Sequence, residues 1–331
     1  MQKQQEAHNL EPIPKSEVLE WKQKFLDRYS VLTDISEFRK YSLAFLRKGI
    51  RVNTLKISVE KLQKRLEKDW ILTPVPWCRE GFWIEHRGIG EEKRRDVGNL
   101  VEHALGYIYV QEPASMLPPL ALDPQPGEVI LDMAAAPGSK TTQLGMYMNN
   151  EGVLIANDIS ADRLASLGIN CQRCGLRNVI ITQTYGNHIK GIQCDKILLD
   201  APCSGTGTIR KSLKTLKMWN PQMVERIAQQ QKKLIKHAWS ILKPGGVLVY
   251  STCTMEPEED EGIISYLLNT EKDAEILPID LDIKRSEPVT KFGKEQYHTD
   301  VKHCLRIWPQ DNDTEGFFVA KLRKIPEDRQ T

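Results

Sequence analysis

"EVILDMAAAPGSKTTQL", residues 128–144, begins with a short β-branched apolar run, ends it on an acidic residue, turns through small side chains and then resumes as a helix. The turn Ala134-Ala135-Ala136-Pro137-Gly138 lets a ligand approach the backbone. Residues 138–141 start a helix whose free N–H groups favour a carboxylate or phosphate. The pattern is neither a phosphate-cradling P-loop nor a dinucleotide G-x-G-x-x-G. By itself it also fits a plain tight connection. What changes the weighing is Asp158, which closes the next apolar run and is placed as an acid that accepts hydrogen bonds from ribose hydroxyls.

Working outward, "GVLIAND", "NVIITQ", "CDKILLD" and "GGVLVYST" repeat the short apolar pattern, and helical stretches separate most of these runs. The clearest helix is Pro221 to Leu242, with Asn220 as cap, Pro221 at the first position and one apolar stripe. Such alternation predicts an α/β, Rossmann-like, mostly parallel sheet with helices on both faces. Ahead of it, Ser16 caps an expected helix over 16–29, Ser58 begins a second, and "FWIEH" reads as a strand, which together predict a smaller N-terminal α+β domain. The expected boundaries are 1–95 for that domain, 96–125 for a connecting segment and 126–325 for the α/β domain.

Ligands of such sheets bind beyond the carboxyl ends of the strands. There the sequence places Asp132, Asp158, Asp200, Cys203 and Cys253. A lone cysteine on a strand is ordinarily a small buried hydrophobe. Cys203, in "DAPCSGTG", and Cys253, in "YSTCT", are instead flanked by polar or glycine residues, and two cysteines converging on one crevice suggest covalent chemistry. A thiol of ordinary pKa is only roughly 3% thiolate at pH 7, so a nucleophile needs help. Lys140, a helix N-terminus and a bound cationic cofactor are the candidate sources, and spacing does not rank them. Nor does spacing choose between Cys203 and Cys253 as the nucleophile.

Together, "AAAPGSKT", "LLDAPCSGTG" and "YSTCT", with "IRVNTLK", "GYIYVQEPASM" and "RIWPQDNDTEGFFVAKLRK" around them, resemble the RNA (cytosine-5)-methyltransferases of the Nop/Sun (Fmu) type over most of the chain. The resemblance implies a class I methyltransferase fold that binds S-adenosyl-L-methionine. It implies that Cys253 attacks C6 of a cytosine, that Cys203 assists removal of the C5 proton and release, that Asp200 contacts the base near N3 and the amino group, and that Lys140 supports Asp200. The same resemblance assigns the cofactor to Ala134, Ala135, Ala136, Pro137, Gly138, Ser139, Lys140, Asp158 and Asp200, with Arg163 beside them. The family usually carries an aspartate after the third strand for the adenine amino group. Here that segment is "TQTYGNHIKG", so Tyr185 or Asn187 stands in its place. Ala134 also replaces the cysteine of many relatives. The implied partner is RNA, with tRNA favoured over rRNA. A DNA cytosine methyltransferase, which would promote Cys203, and a catalytically idle RNA-binding or assembly factor are the alternatives.

The bulk numbers agree with this reading. The chain has 331 residues, 40% of them hydrophobic, enough for a sizeable core. Seven scattered cysteines exclude a disulfide-framed secreted scaffold. No apolar run is long enough to cross a bilayer, and the first residues lack the apolar core of a secretory signal, so the expected address is cytoplasmic. The net charge of +2 divides unevenly, positive in the first hundred residues and negative beyond, which suits a polyanionic partner. "RKSLKTLK", 210–217, is the expected RNA-facing loop. Cys171-x-x-Cys174 lacks a second pair at zinc spacing, so no metal is expected.

Overall fold

The computed structural model describes residues 10–14, 16, 19–88 and 94–326. In chain order, α1 (Gln23–Ser30) and α2 (Ile35–Ser42) precede β1 (Gly49–Val52), α3 (Val59–Leu66), β2 (Trp70–Val75), β3 (Cys78–His86), α4 (Val101–Ala104), β4 (Ile108–Val110) and α5 (Leu117–Leu122). The four strands form an antiparallel sheet in the order β2-β3-β1-β4. Its last strand comes from within the stretch expected to be a connector. A run of only Ile108-Tyr109-Val110 is too short to stand out as a strand, but it pairs with Ile50 to Val52 of β1.

The first helix also differs from expectation. It starts at Gln23 rather than Ser16, and its N-cap residue, Lys22, is extended with no side-chain cap. Two contacts hold the chain out of helical geometry there: Lys22 Nζ donates to the carbonyls of Lys217 and Trp219 at 2.8 and 2.6 Å, and Ile13 and Phe45 bond across to Leu43 and Glu11. The Ser16 hydroxyl reaches the Leu43 carbonyl instead of a helix N–H. Val18 lies outside the described residues. Ser58 does cap α3, accepting from the Lys61 amide, and α3 buries Leu62 and Leu66.

The larger sheet contains β5 (Val129–Asp132), β6 (Val153–Asp158), β7 (Val179–Gln183), β8 (Cys194–Asp200) and β9 (Leu242–Thr252), the five apolar runs read from sequence, all parallel. Between them run α6 (Ser139–Tyr147), α7 (Ala161–Cys174), α8 (Lys214–Met218) and α9 (Pro221–Ser240). After β9 come α10 (Glu261–Thr270), β10 (Ala274–Leu277), the two-residue pair β11 (Lys291–Phe292) and β12 (Glu295–Gln296), β13 (Leu305–Ile307), α11 (Pro309–Asn312) and β14 (Phe317–Lys324). The order is β10-β14-β9-β8-β5-β6-β7, with β14 antiparallel to β9 and β10 and with β13 on β14. Asn220 caps α9 through the Met223 amide, and the helix ends at Ser240 because Leu242 already pairs with Cys194 in β9.

Alternation along the strands covers both faces. Leu131, Ile197, Leu199, Leu248 and Tyr250 pack under α9 and α10, while Ile130, Leu154, Leu198 and Val249 pack under α5 and α6. Each such large aliphatic side chain contributes roughly 1.5–3 kcal/mol when removed from water. Between the sheets, the fully buried Arg51 of β1 donates to Gln111 and reaches into α6, at 2.9 Å from both the Ser139 carbonyl and Thr142 Oγ1. Among the described residues no helix is long and apolar enough to cross a membrane.

Candidate active site

β8 and β9 are adjacent and parallel, so whatever follows each of them emerges at the same sheet edge. Asp200 ends β8 beside Ser251 of β9, and Ser251 Oγ donates to Asp200 Oδ1 at 2.8 Å. The two following loops bring Cys203 and Cys253 together with their sulfurs 3.4 Å apart, both half-buried free thiols. The loops are stitched by Thr254 Oγ1, which lies 2.7 Å from Ser204 Oγ and 2.9 Å from Thr206 Oγ1, and by the Gly207 amide donating to the Cys253 carbonyl. Gly207 has no room for a side chain: an added Cβ would sit 2.2 Å from the Gly316 carbonyl oxygen and 2.8 Å from that of Cys253.

Lys140, at the start of α6, donates to Asp200 Oδ2 at 2.7 Å and to Ser115 Oγ at 3.0 Å. Burial alone would pull its ammonium pKa down, but the Asp200 carboxylate, with help from the Cys253 sulfur, holds it above the ordinary lysine value. The Cys203 thiol is pushed well up, first by its hydrogen bond with Cys253, then by burial and by the nearby Glu259 and Asp200 carboxylates.

Sequence reasoning missed the support beneath these groups. Glu259, fully buried, accepts from the Ser204 amide at 2.9 Å and from Gln231 at 3.0 Å, while Gln231 also donates to the Pro202 carbonyl. In the stretch "EPEEDE", 256–261, the carboxylates of Glu256, Glu259, Asp260 and Glu261 are buried. Glu256 receives Arg28, Tyr29 and Trp219, and Asp260 and Glu261 both bind the buried Arg306. A run of acids between Met255 and Ile263 carries no local signal of burial, because their partners lie far away in sequence.

On the neighbouring side, Asp132 ends β5 with Oδ2 taking the Thr141 hydroxyl at 2.7 Å and Oδ1 buried without a partner. Burial raises its pKa to about 7, against the Thr141 hydrogen bond. Ala134 to Gly138 form the turn, closed by bonds from the Ala135 amide to Asn157 and from Gly138 to Ala135, with Gly138 at φ +106°. Asn157, another residue the sequence did not flag, donates to the carbonyls of Met133 and Thr184 and so ties three strand ends together. Asp158 accepts from the Ala136 and Ser160 amides and pairs with Arg163 at 3.3 Å; Arg163 also donates to the Ala136 carbonyl. Pro137 is exposed and Ser139 half-buried. Small side chains at the turn, an orphaned buried carboxyl oxygen and a second carboxylate one strand over form a donor and acceptor set that fits an adenosyl ligand with a charged tail. Tyr185 is 58% exposed, with its ring 5.3 Å from His188, and Asn187 lies in the short turn beside it.

One other expectation meets the structure differently. Arg210 is not RNA-facing: its guanidinium is buried against Asp313 at 2.8 Å and the carbonyls of Ala44, Phe45 and Thr314. The rest of that segment is partly the short helix α8, with Leu216 buried and Lys211, Lys214 and Lys217 exposed. Cys171 and Cys174 lie buried on α7, and among the described residues no cluster of three His, Cys, Asp or Glu side chains gathers as a metal site.

Residues 119–323 match the family described as 16S rRNA methyltransferase RsmB/F, and residues 22–113 match the N-terminal domain of 16S rRNA methyltransferase RsmF. The chain is 45% identical to the tRNA (cytosine(49)-C(5))-methyltransferase of Pyrococcus abyssi, over 94% of this chain and 98% of that one. It is 47% identical to ribosomal RNA small subunit methyltransferase F of Vibrio atlanticus over 85% of this chain, but spans only 58% of that protein's length. Its fold is similar to a methyltransferase homologue from Pyrococcus horikoshii, with a TM-score of 0.82, 37% identity and coverage of 95% and 100% of the two chains. The motifs, the sheet order and these matches agree: the chain belongs to the RsmB/F family of RNA (cytosine-5)-methyltransferases.

Proposed function

We propose that this protein methylates C5 of a cytosine in RNA, with tRNA as the substrate class, through a covalent bond between Cys253 and C6. The observation that carries the reading is the pair of thiols 3.4 Å apart beside the Lys140–Asp200 ion pair. S-adenosylmethionine, held by residues 134–140, Asp158 and Arg163, supplies an electrophilic methyl group when bound. C5 of cytosine is a poor nucleophile until a group adds at C6, which is the reason for covalent catalysis here.

Cys253 acts as the nucleophile, while burial and the nearby Glu259 and Asp200 carboxylates favour the protonated form of Cys203. As the S–C6 bond forms, the ring's electron pair moves toward C5, and the Lys140–Asp200 pair holds the N3 and amino edge of the base. Once Cys253 is bonded to carbon, the hydrogen bond and charge that held the Cys203 proton in place are gone. Cys203 then loses its proton to solvent more readily and, as thiolate, takes the proton from C5 once C5 carries the methyl group. Elimination restores the aromatic ring and expels Cys253.

The tRNA assignment is supported by the near full-length match to the Pyrococcus abyssi enzyme, against little more than half the length of the rRNA relative. The test is methyl transfer to tRNA and to 16S rRNA, with bisulfite mapping of the products. 5-Methylcytosine in tRNA is expected; label in rRNA alone would overturn the substrate class, and label in neither would overturn the activity.

A further inference from the structure

A cavity of about 910 Å³ opens between the small sheet and the catalytic loops. Its wall is tied to the active site by one short turn. Glu112, on that wall, caps the 113–116 turn through the Ser115 amide, and Ser115 Oγ receives Lys140, the partner of Asp200. On the other side, Glu315 precedes Gly316, whose amide donates to the Gly207 carbonyl in the Cys203 loop.

Among the described residues, Arg47, Glu315 and Asp313 Oδ2 in this cavity have hydrogen-bonding capacity unused by the protein. The Arg47 guanidinium lies over Trp83, 4.2 Å from the ring centroid, and among the described residues has no acceptor for its N–H groups. Glu315, 4% exposed, has Oε1 buried with no hydrogen bond; its nearest cation, exposed Lys211, is 3.7 Å away. A buried carboxylate oxygen with nothing donating to it is costly unless a ligand supplies the donor. An arginine lying flat on an indole keeps its charge and its donors facing outward.

We propose that this cavity seats a nucleotide of single-stranded RNA next to the target cytidine, with Arg47 on its phosphate and Glu315 Oε1 accepting from the exocyclic amino group of its base. The assignment rests on the RNA reading above and deepens it. Adenine, guanine and cytosine carry such an amino group and uracil does not, so the seat discriminates against uridine.

The test is equilibrium binding of labelled dodecamers of adenosine and of uridine to the full chain, across a range of salt, alongside methyl transfer to tRNA. Wild type is expected to prefer the adenosine strand by roughly ten-fold, the scale of one good base contact. Glu315→Gln, which turns one acceptor into a donor, is expected to collapse that gap. Arg47→Ala is expected to weaken both strands alike and to lower the salt slope by about 0.7, as for one lost phosphate on a single strand. Melting curves check that the variants are folded. A dodecamer of purine riboside, which lacks the 6-amino group, probes the same contact on the unaltered protein and is expected to bind like the uridine strand. Purine riboside binding as well as adenosine, or an unchanged preference in folded Glu315→Gln, overturns the seat. A blank methyl-transfer assay with the adenosine preference intact overturns the activity instead.

Discussion

Cys203 Sγ and Cys253 Sγ lie 3.4 Å apart, each at the start of a loop leaving one of two adjacent parallel strands. The Cys203 thiol is pushed up by its hydrogen bond with Cys253, by burial and by the Glu259 and Asp200 carboxylates. The proposed division of labour gives the first prediction. Cys253→Ala is expected to lower methyl transfer by at least about 10³-fold and to form no RNA adduct, whereas Cys203→Ala is expected to accumulate an adduct that survives denaturing electrophoresis. Adducts from Cys253→Ala would reverse the two roles.

Lys140→Met leaves Asp200 with Ser251 as its side-chain partner. Transfer is expected to fall roughly 10²-fold, the scale of a lost electrostatic contact at a reacting group, while folding cost stays small because the Asp200 side chain is 29% exposed. Turnover within two-fold of wild type would remove the pair from the mechanism.

The pH dependence of stability has a definite sign. Burial raises Glu259 to about 7, so between its ordinary value and pH 7 the folded protein holds a proton that the unfolded chain has lost. Stability then falls as pH rises through that window, by an order of 2–3 kcal/mol in all, and levels off above about 7. Glu259→Gln removes its share of the slope and leaves that of Asp132. The difference in melting temperature, variant minus wild type, is expected to grow by several degrees between pH 5 and 7, and a difference that is flat with pH contradicts the assignment.

Arg306→Met leaves Asp260 and Glu261 facing each other, fully buried, with their shared cation gone. A loss of about 3–5 kcal/mol is expected from denaturant unfolding. Gly207→Ala acts differently: the new methyl meets the Cys253 and Gly316 carbonyls, so it is expected to cut transfer at least ten-fold by displacing Cys253.

How far the sequence could be read follows the range of the interactions involved. The five parallel strands, Asn220 as a cap and the two cysteine loops are local patterns, and the structure has them where the pattern puts them. β4 was hidden because three residues carry too little periodicity. Arg210 read as a surface cation because its partner Asp313 is a hundred residues downstream. Glu259, Arg51 and Asn157 were invisible for the same reason: each is explained by a contact that only the folded chain creates. The two cysteines, Asp200 and Lys140, which the structure brings together, stand in local motifs, and the scaffold beneath them does not.

Arg51 leaves one further consequence. A guanidinium sealed between the small sheet and α6, and shared by Gln111, Thr142 and the Ser139 carbonyl, locks both halves of the protein against each other. The front half is then a fixed ruler rather than a closing jaw. On the proposed function, shifting the small sheet against α6 costs these buried hydrogen bonds, so an RNA spanning both meets its cytosine site at a spacing that Arg51 helps to set.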